Sequence, residues 1–166
     1  MLIKYPGQPF DIHGGGLENK FPHHEAEIAQ AECATGGTPF ARVWMHNNMV
    51  TVDGVKMGKS LGNFTTIKDA LRLVEPLALR FFVLSSHYRS TTDFTTAALE
   101  GAQKGYSRLI GAARLVQQKF AAAPANGPVD PAVQELASAT TARFRAAMDD
   151  DFNAAGALAT LFEFSR

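Results

Sequence analysis

The spacing of apolar residues changes character at Thr96. Before it, apolar runs are short and are broken by glycine, proline and asparagine; after it, apolar residues recur every three to four positions. In the first part, Pro9–His13 reads as a short strand running into a turn at Gly14-Gly15-Gly16. Pro22 opens a helix, and Gly36-Gly37-Thr38-Pro39 ends it. Phe40–His46, with Val43, Trp44 and Met45, reads as a buried strand. Met49–Val52 is a second strand, and Asp53-Gly54 folds it back onto Val55–Met57 as a hairpin. Thr66 caps a helix, with Asp69 three residues on, and Ile67, Leu71 and Val74 give that helix one apolar face. Glu75-Pro76 stops it. Pro76 begins the next helix, which carries Leu77, Leu79, Phe81, Phe82 and Leu84, and Ser86–Ser90 follows as a polar loop.

From Thr96 onward, Leu99, Ala102, Tyr106, Leu109, Ala113, Val116 and Phe120 step by three and four without a break. This predicts one long amphipathic helix of a bundle. Residues 123–131, rich in alanine, proline and glycine, form a linker. A further helix carries Val133, Leu136, Phe144 and Met148. Asp149-Asp150-Asp151 interrupts it, and Asn153 caps a last helix with Leu158, Leu161 and Phe162.

Composition narrows the picture. The 166 residues suit one domain or two small ones, and 46% hydrophobic against 19% charged content supplies a packed core. Lys plus Arg and Asp plus Glu both number 16, so no bulk basic field for nucleic acid exists. A local bias does: Lys56, Lys59, Lys68, Arg72, Arg80 and Arg89 face only Asp69 and Glu75 over that stretch. The single cysteine, Cys33, excludes an internal disulfide and fits a reducing compartment. No apolar run reaches membrane-spanning length and residues 1–20 lack a signal pattern, so the expectation is a soluble cytoplasmic protein with no membrane partner.

Two stretches carry candidate chemistry. Lys56 and Lys59 lie three apart in a loop with Gly58, Ser60, Gly62 and Asn63, and two mobile ammonium groups suit a polyphosphate whose charge changes during reaction. By itself such a motif is more often a solvated basic loop. His23, His24, Glu25 and Glu27 sit in the first turns of a helix. Acids there also serve the helix dipole. Imidazole and carboxylate on one helical face suit zinc, with either His23 or His24 paired to Glu27, but two ligands do not complete such a site. Cys33 lies about 9 Å further along the axis and reads as a small buried residue rather than a ligand. Gly14-Gly15-Gly16 at the end of a strand is where open α/β sheets bind nucleotides, although a plain turn explains the glycines as well.

Taken together, several blocks match one family. They are Asp11-Ile12-His13-Gly14-Gly15-Gly16, Phe21-Pro22-His23-His24-Glu25-Ala26-Glu27, Trp44-Met45-His46, Lys56-Met57-Gly58-Lys59-Ser60-Leu61-Gly62-Asn63 and His87-Tyr88-Arg89-Ser90. In this order and spacing the chain resembles the cysteinyl-tRNA synthetases, and Met148–Asn153 is similar to the start of that family's helical domain. The resemblance covers essentially the whole chain. It implies an α/β fold: the C-terminal part of a Rossmann-like class I synthetase catalytic domain over residues 1–92, then an α-helical bundle over 93–166 that begins the tRNA-binding helical domain.

The implied reaction is activation of L-cysteine with ATP and transfer to tRNA(Cys), carried out by a longer chain and not by this fragment alone. Lys56–Ser60 takes the place of the class signature Lys-Met-Ser-Lys-Ser. Lys59 is implied on the ATP phosphates with Lys56 assisting, and His13, Gly14, Gly15 and Gly16 against the adenosine. His23 and Glu27 are implied as two of four zinc ligands, the metal taking the substrate thiolate. Gly58 stands where the family has serine, which implies a looser loop and retuned closure. The family's His-Ile-Gly-His signature and its two cysteine ligands do not occur here, so half an ATP site and half a zinc site are expected, on a monomer or a self-associating fragment. Two other readings compete: a related ligase joining cysteine to an amino-sugar inositol, and a non-catalytic module binding RNA or a protein partner through the Lys56–Arg89 surface.

Overall fold

The computed structural model describes residues 9–122 and 127–166. Residues 123–126, the start of the expected linker, lie outside the described residues. The chain divides into two compact units. One holds the described residues up to Val50 together with Tyr88–Thr91; the other holds Thr51–His87 and Thr92–Arg166.

The first unit is a strand–helix–strand piece of an α/β fold. Strand β1 (Phe10–Gly16) pairs in parallel with β2 (Ala41–Asn47), and helix α1 (His23–Thr35) makes the crossover that a parallel pair requires. The register sets His13 beside Trp44 and Gly15 beside His46. The expected glycine turn is instead the end of β1. Tertiary packing decides this: a Cβ on Gly15 would lie 2.7 Å from Cε1 of His24, so glycine is what lets extended backbone pass the buried His24 ring. Helix α1 ends at Gly36, whose φ of 70° is the left-handed cap that glycine adopts without strain. The helix buries His24 and Ala31. Cys33, two positions past Ala31 and so turned away from that face, is exposed rather than buried.

In the second unit, β3 (Val50–Val52), whose first residue belongs to the other unit, pairs antiparallel with β4 (Val55–Lys56) across the Asp53-Gly54 turn. Both turn residues have positive φ, 51° and 76°, as a two-residue hairpin turn demands. A short strand not foreseen in the sequence, β5 (Thr92–Asp93), lies on the other side of β3. Thr66 caps α2 (Ile67–Ala70): its Oγ1 accepts from the Asp69 N–H at 3.0 Å and donates to Asp69 Oδ2 at 2.6 Å. The helix ends there instead of running to Val74. Of the expected apolar face, Ile67 and Leu71 remain exposed, whereas Val74 packs against Phe82, Leu99 and Ala102.

Helix α3 (Pro76–Leu84) starts with proline, as expected, and packs on α4 (Thr96–Ala122). Their shared core is Phe82, Leu99 and Ala102, with Val74, Leu79, Phe81, Phe94 and Ala98 packed against it. The seam of α4 is only half used: Leu99 is buried, whereas Val116 and Phe120 are exposed, Phe120 at 82%. Helix α5 (Pro131–Asp149) pairs with α6 (Ala154–Phe164), which Asn153 caps by accepting the Gly156 N–H at 2.8 Å. Arg143 donates to Glu163 at 2.6 Å across that pair, and the Phe162 ring meets Phe81 edge-on at 6.1 Å. No helix among the described residues is long and apolar enough to cross a membrane.

Candidate functional site

Each unit presents one chemically distinctive cluster. In the first, β1, β2 and α1 converge on four imidazoles and a carboxylate. Nε2 of His13 donates to Oε2 of Glu27 at 2.9 Å. The other carboxylate oxygen, Oε1, lies 3.7 Å from Nε2 of His23. Nδ1 of His24 and Nε2 of His46 share a hydrogen bond of 2.7 Å. Trp44 packs beside these rings, edge-on to His13 at 4.8 Å and parallel to the His46 ring at 6.1 Å. Burial, reinforced by the neighbouring His13, holds His24 below the ordinary imidazole pKa, although Glu27 pulls the other way. Burial and the field of His24 lower His46 as well. Both shifts favour the neutral rings, and in the bond between them one nitrogen donates and the other accepts.

Donor atoms of His13, His24 and Glu27 lie within 4.8 Å of one another. The zinc pair expected from sequence, His23 and Glu27, overlaps this group only at Glu27. The His23 side chain is 64% exposed, whereas His24 is buried. Two nitrogen donors and a carboxylate are a donor set that zinc accepts. The cluster therefore fits a metal, with Glu27 common to both sets. Sequence spacing could bring His23 and His24 to Glu27, but not His13 or His46, which reach the cluster through strand register.

In the second unit the hairpin β3–β4 leads directly into the lysine loop. Lys56 ends β4 opposite Thr51, and Lys59 begins a single 3₁₀ turn, Lys59–Leu61, closed by Gly62 in the left-handed conformation. One side chain ties the loop together. Asn63 Oδ1 accepts from the Gly58 N–H at 2.9 Å, and its Nδ2 donates to the Lys56 carbonyl at 3.1 Å. Gly58 itself is extended, with φ −161° and ψ 144°. Lys59 Nζ rests 5.4 Å from the centroid of Phe64, within cation–π range. His13 and Gly14–Gly16 belong to the first unit and Lys56 and Lys59 to the second.

Against this geometry, a family model described as the tRNA synthetases class I (C) catalytic domain matches residues 1–104, and the chain belongs to that family. A DALR domain model matches residues 143–166. Among similar proteins, the cysteine–tRNA ligase of Chlorobium chlorochromatii is 52% identical over 166 residues, which is 100% of this chain and 32% of that protein. The cysteine–tRNA ligase of Deinococcus radiodurans is 51% identical, covering 98% of this chain and 32% of that protein. That of Thermus thermophilus is 47% identical, covering 99% and 33%. The chain thus spans about a third of the length of the curated relatives it matches. A solved structure, the LeuRS–tRNA–LeuAMS ternary complex from Agrobacterium radiobacter K84, aligns with a TM-score of 0.73 at 18% identity over 93% of this chain and 22% of that one, a likeness of fold.

Proposed function

We propose that the chain is the part of a cysteine–tRNA ligase that handles the ATP phosphates and the cysteine side chain. Identity of 52% across all 166 residues to a named cysteine–tRNA ligase is the observation that carries this reading. The reaction joins L-cysteine to ATP as the adenylate, releasing pyrophosphate, and then to tRNA(Cys). It takes place in the cytoplasm and in the longer chain of which such a segment forms about a third. Residues 1–92 serve the catalytic domain and 93–166 begin the helical domain.

In this reading the Lys59 ammonium meets the phosphates where charge develops, and Lys56, three residues back, assists. A hairpin foot with its backbone tied by Asn63 supports that assignment, because a charge on a flexible stem helps only if its stem base is placed. His13 and Gly14–Gly16 lie against the adenosine. His23 and Glu27 hold zinc, with further ligands. The bond from His13 to Glu27 Oε2 supports this by fixing the carboxylate with Oε1 toward His23, as an outer partner of a metal ligand does. Bound zinc would supply a soft centre that takes a thiolate in preference to a hydroxyl.

The test is Lys59→Ala in the full-length ligase, read by cysteine-dependent ATP–pyrophosphate exchange. Loss of one preorganised electrostatic contact raises the barrier by about 2–4 kcal/mol. Exchange at the parent rate would refute the role of Lys59.

A further inference from the structure

Asp93 lies outside every block that resembles the family, thirty residues past the lysine loop. Its carboxylate nonetheless touches the hairpin that carries the loop, and does so twice with one oxygen. Thr51 Oγ1 donates to Asp93 Oδ1 at 2.6 Å, and the Gly54 N–H donates to the same oxygen at 3.0 Å. Thr51 is the residue paired across the hairpin with Lys56, and Gly54 is the second residue of its turn. A backbone bond reinforces the contact, the Phe94 N–H reaching the Thr51 carbonyl at 2.7 Å. Phe94 is itself seated on the α3–α4 core, edge-on to Phe82 at 5.7 Å. A chain of contacts therefore runs from the packed helices through Phe94 and Asp93 into the strand opposite Lys56.

We propose that Asp93 is a positioning residue for the lysine loop: its carboxylate locks the β3–β4 hairpin to the helical core, so that Lys56 and Lys59 start from a fixed base. The inference rests on the reading of Lys59 as a phosphate ligand. Its physical content is separable from that reading. A carboxylate accepting two hydrogen bonds is stronger than a neutral acceptor, and both bonds lower the Asp93 pKa, so it is ionised at neutral pH. Thr51 is buried, so its hydroxyl has no ready replacement partner in water once Asp93 is gone. Strand β5 is only two residues long, so the Asp93 side chain adds its two bonds to a short backbone pairing with β3.

The experiment uses the full-length ligase with Asp93→Ala, Asp93→Asn, Thr51→Val and Lys59→Ala, read by ATP–pyrophosphate exchange and by amide hydrogen exchange. Asp93→Ala is expected to lower kcat about ten- to a hundredfold, as displacement of a positioned group does, with KM for cysteine unchanged. Asp93→Asn keeps an acceptor oxygen and is expected to recover most of that loss. Thr51→Val removes one of the two donors and gives a smaller loss in the same direction, which keeps the test open if Asp93→Ala fails to fold. Amide exchange should accelerate over residues 51–63 while α3 and α4 stay protected. The proposal is overturned if Asp93→Ala keeps the parent kcat, if Asn and Ala are equally impaired, or if faster exchange spreads over α3 and α4. Loss of activity in Lys59→Ala with a silent Asp93→Ala sinks this inference alone, whereas a silent Lys59→Ala sinks the phosphate reading beneath it.

Discussion

Gly58 occupies the one position of the lysine loop where the chain departs from the family signature, and serine can be restored there without strain. At φ −161° and ψ 144° the backbone is extended, a conformation any residue adopts. A Cβ at this position meets nothing closer than 3.9 Å, the nearest atoms being Leu61 Cδ1 and Ser60 Oγ. The N–H that Asn63 holds is retained in the substituted chain. The remaining effect is entropic: glycine leaves the open loop more states to lose. Replacing glycine at a compatible position stabilises the ordered form by about 0.4–1 kcal/mol, which corresponds to about a two- to fivefold rate increase if the clasped loop is the working one. The assay is ATP–pyrophosphate exchange in the full-length ligase carrying Gly58→Ser, with Gly58→Ala beside it. Similar gains in both assign the effect to the backbone, and a gain in serine alone assigns it to the hydroxyl. A rate at or below the parent in both variants would refute the reasoning and mark the clasped loop as a resting state.

Two further outcomes test other parts of the structure. Thr140 Oγ1 is buried in α5 with no hydrogen-bond partner among the described residues, so Thr140→Val, which keeps the shape, should raise the unfolding free energy by about 1–3 kcal/mol; a urea midpoint that falls instead would show that the hydroxyl is satisfied in solution. His23→Ala should abolish stoichiometric zinc in the full-length ligase while His24→Ala retains it; metal analysis giving the reverse would move the site to the buried His13–His24–Glu27 group.

Where sequence legibility ended follows from which forces were local. The Asp53-Gly54 turn, the Thr66 and Asn153 caps and the proline start of α3 are set by residues within a few positions of one another, and each stands where the sequence placed it. Gly15 of β1 was misread as part of a turn because its reason is the His24 ring, which arrives from another element. Strand β5 escaped because two residues carry no periodicity. Helix α2 stops at Ala70, and of its expected apolar face only Val74 packs on the core. In the clusters, Lys56, Lys59, His23 and Glu27 were legible as motifs. Asn63 was visible as a motif residue without its role as a clasp. His46 and Asp93 reach their partners only through pairing with distant strands, so no spacing rule could have assigned their contacts.

The two clusters are built on different principles, and the chemistry proposed for each explains the difference. The His13–His24–Glu27–His46 group is assembled from two paired strands and a helix. Its rings are wedged against Trp44 and Phe40, and its carboxylate is held by a neighbouring imidazole. Such a site resists movement. Glu27, which we propose holds zinc together with His23, is anchored in this group, and discrimination between a thiol and a hydroxyl calls for a fixed donor rather than a shape that closes. The lysine loop is the opposite case. Its ammonium groups sit on long stems, β4 ends at Lys56, and order is imposed at the base by Asn63 and, on our proposal, by Asp93. A ligand that sheds pyrophosphate changes its charge and geometry between binding and release, so the groups that follow it must move while their anchors do not. Rigidity at the feet and freedom at the tips satisfy both demands. The loop's two clasps are therefore where substitution should alter rate while leaving the affinity for cysteine unchanged.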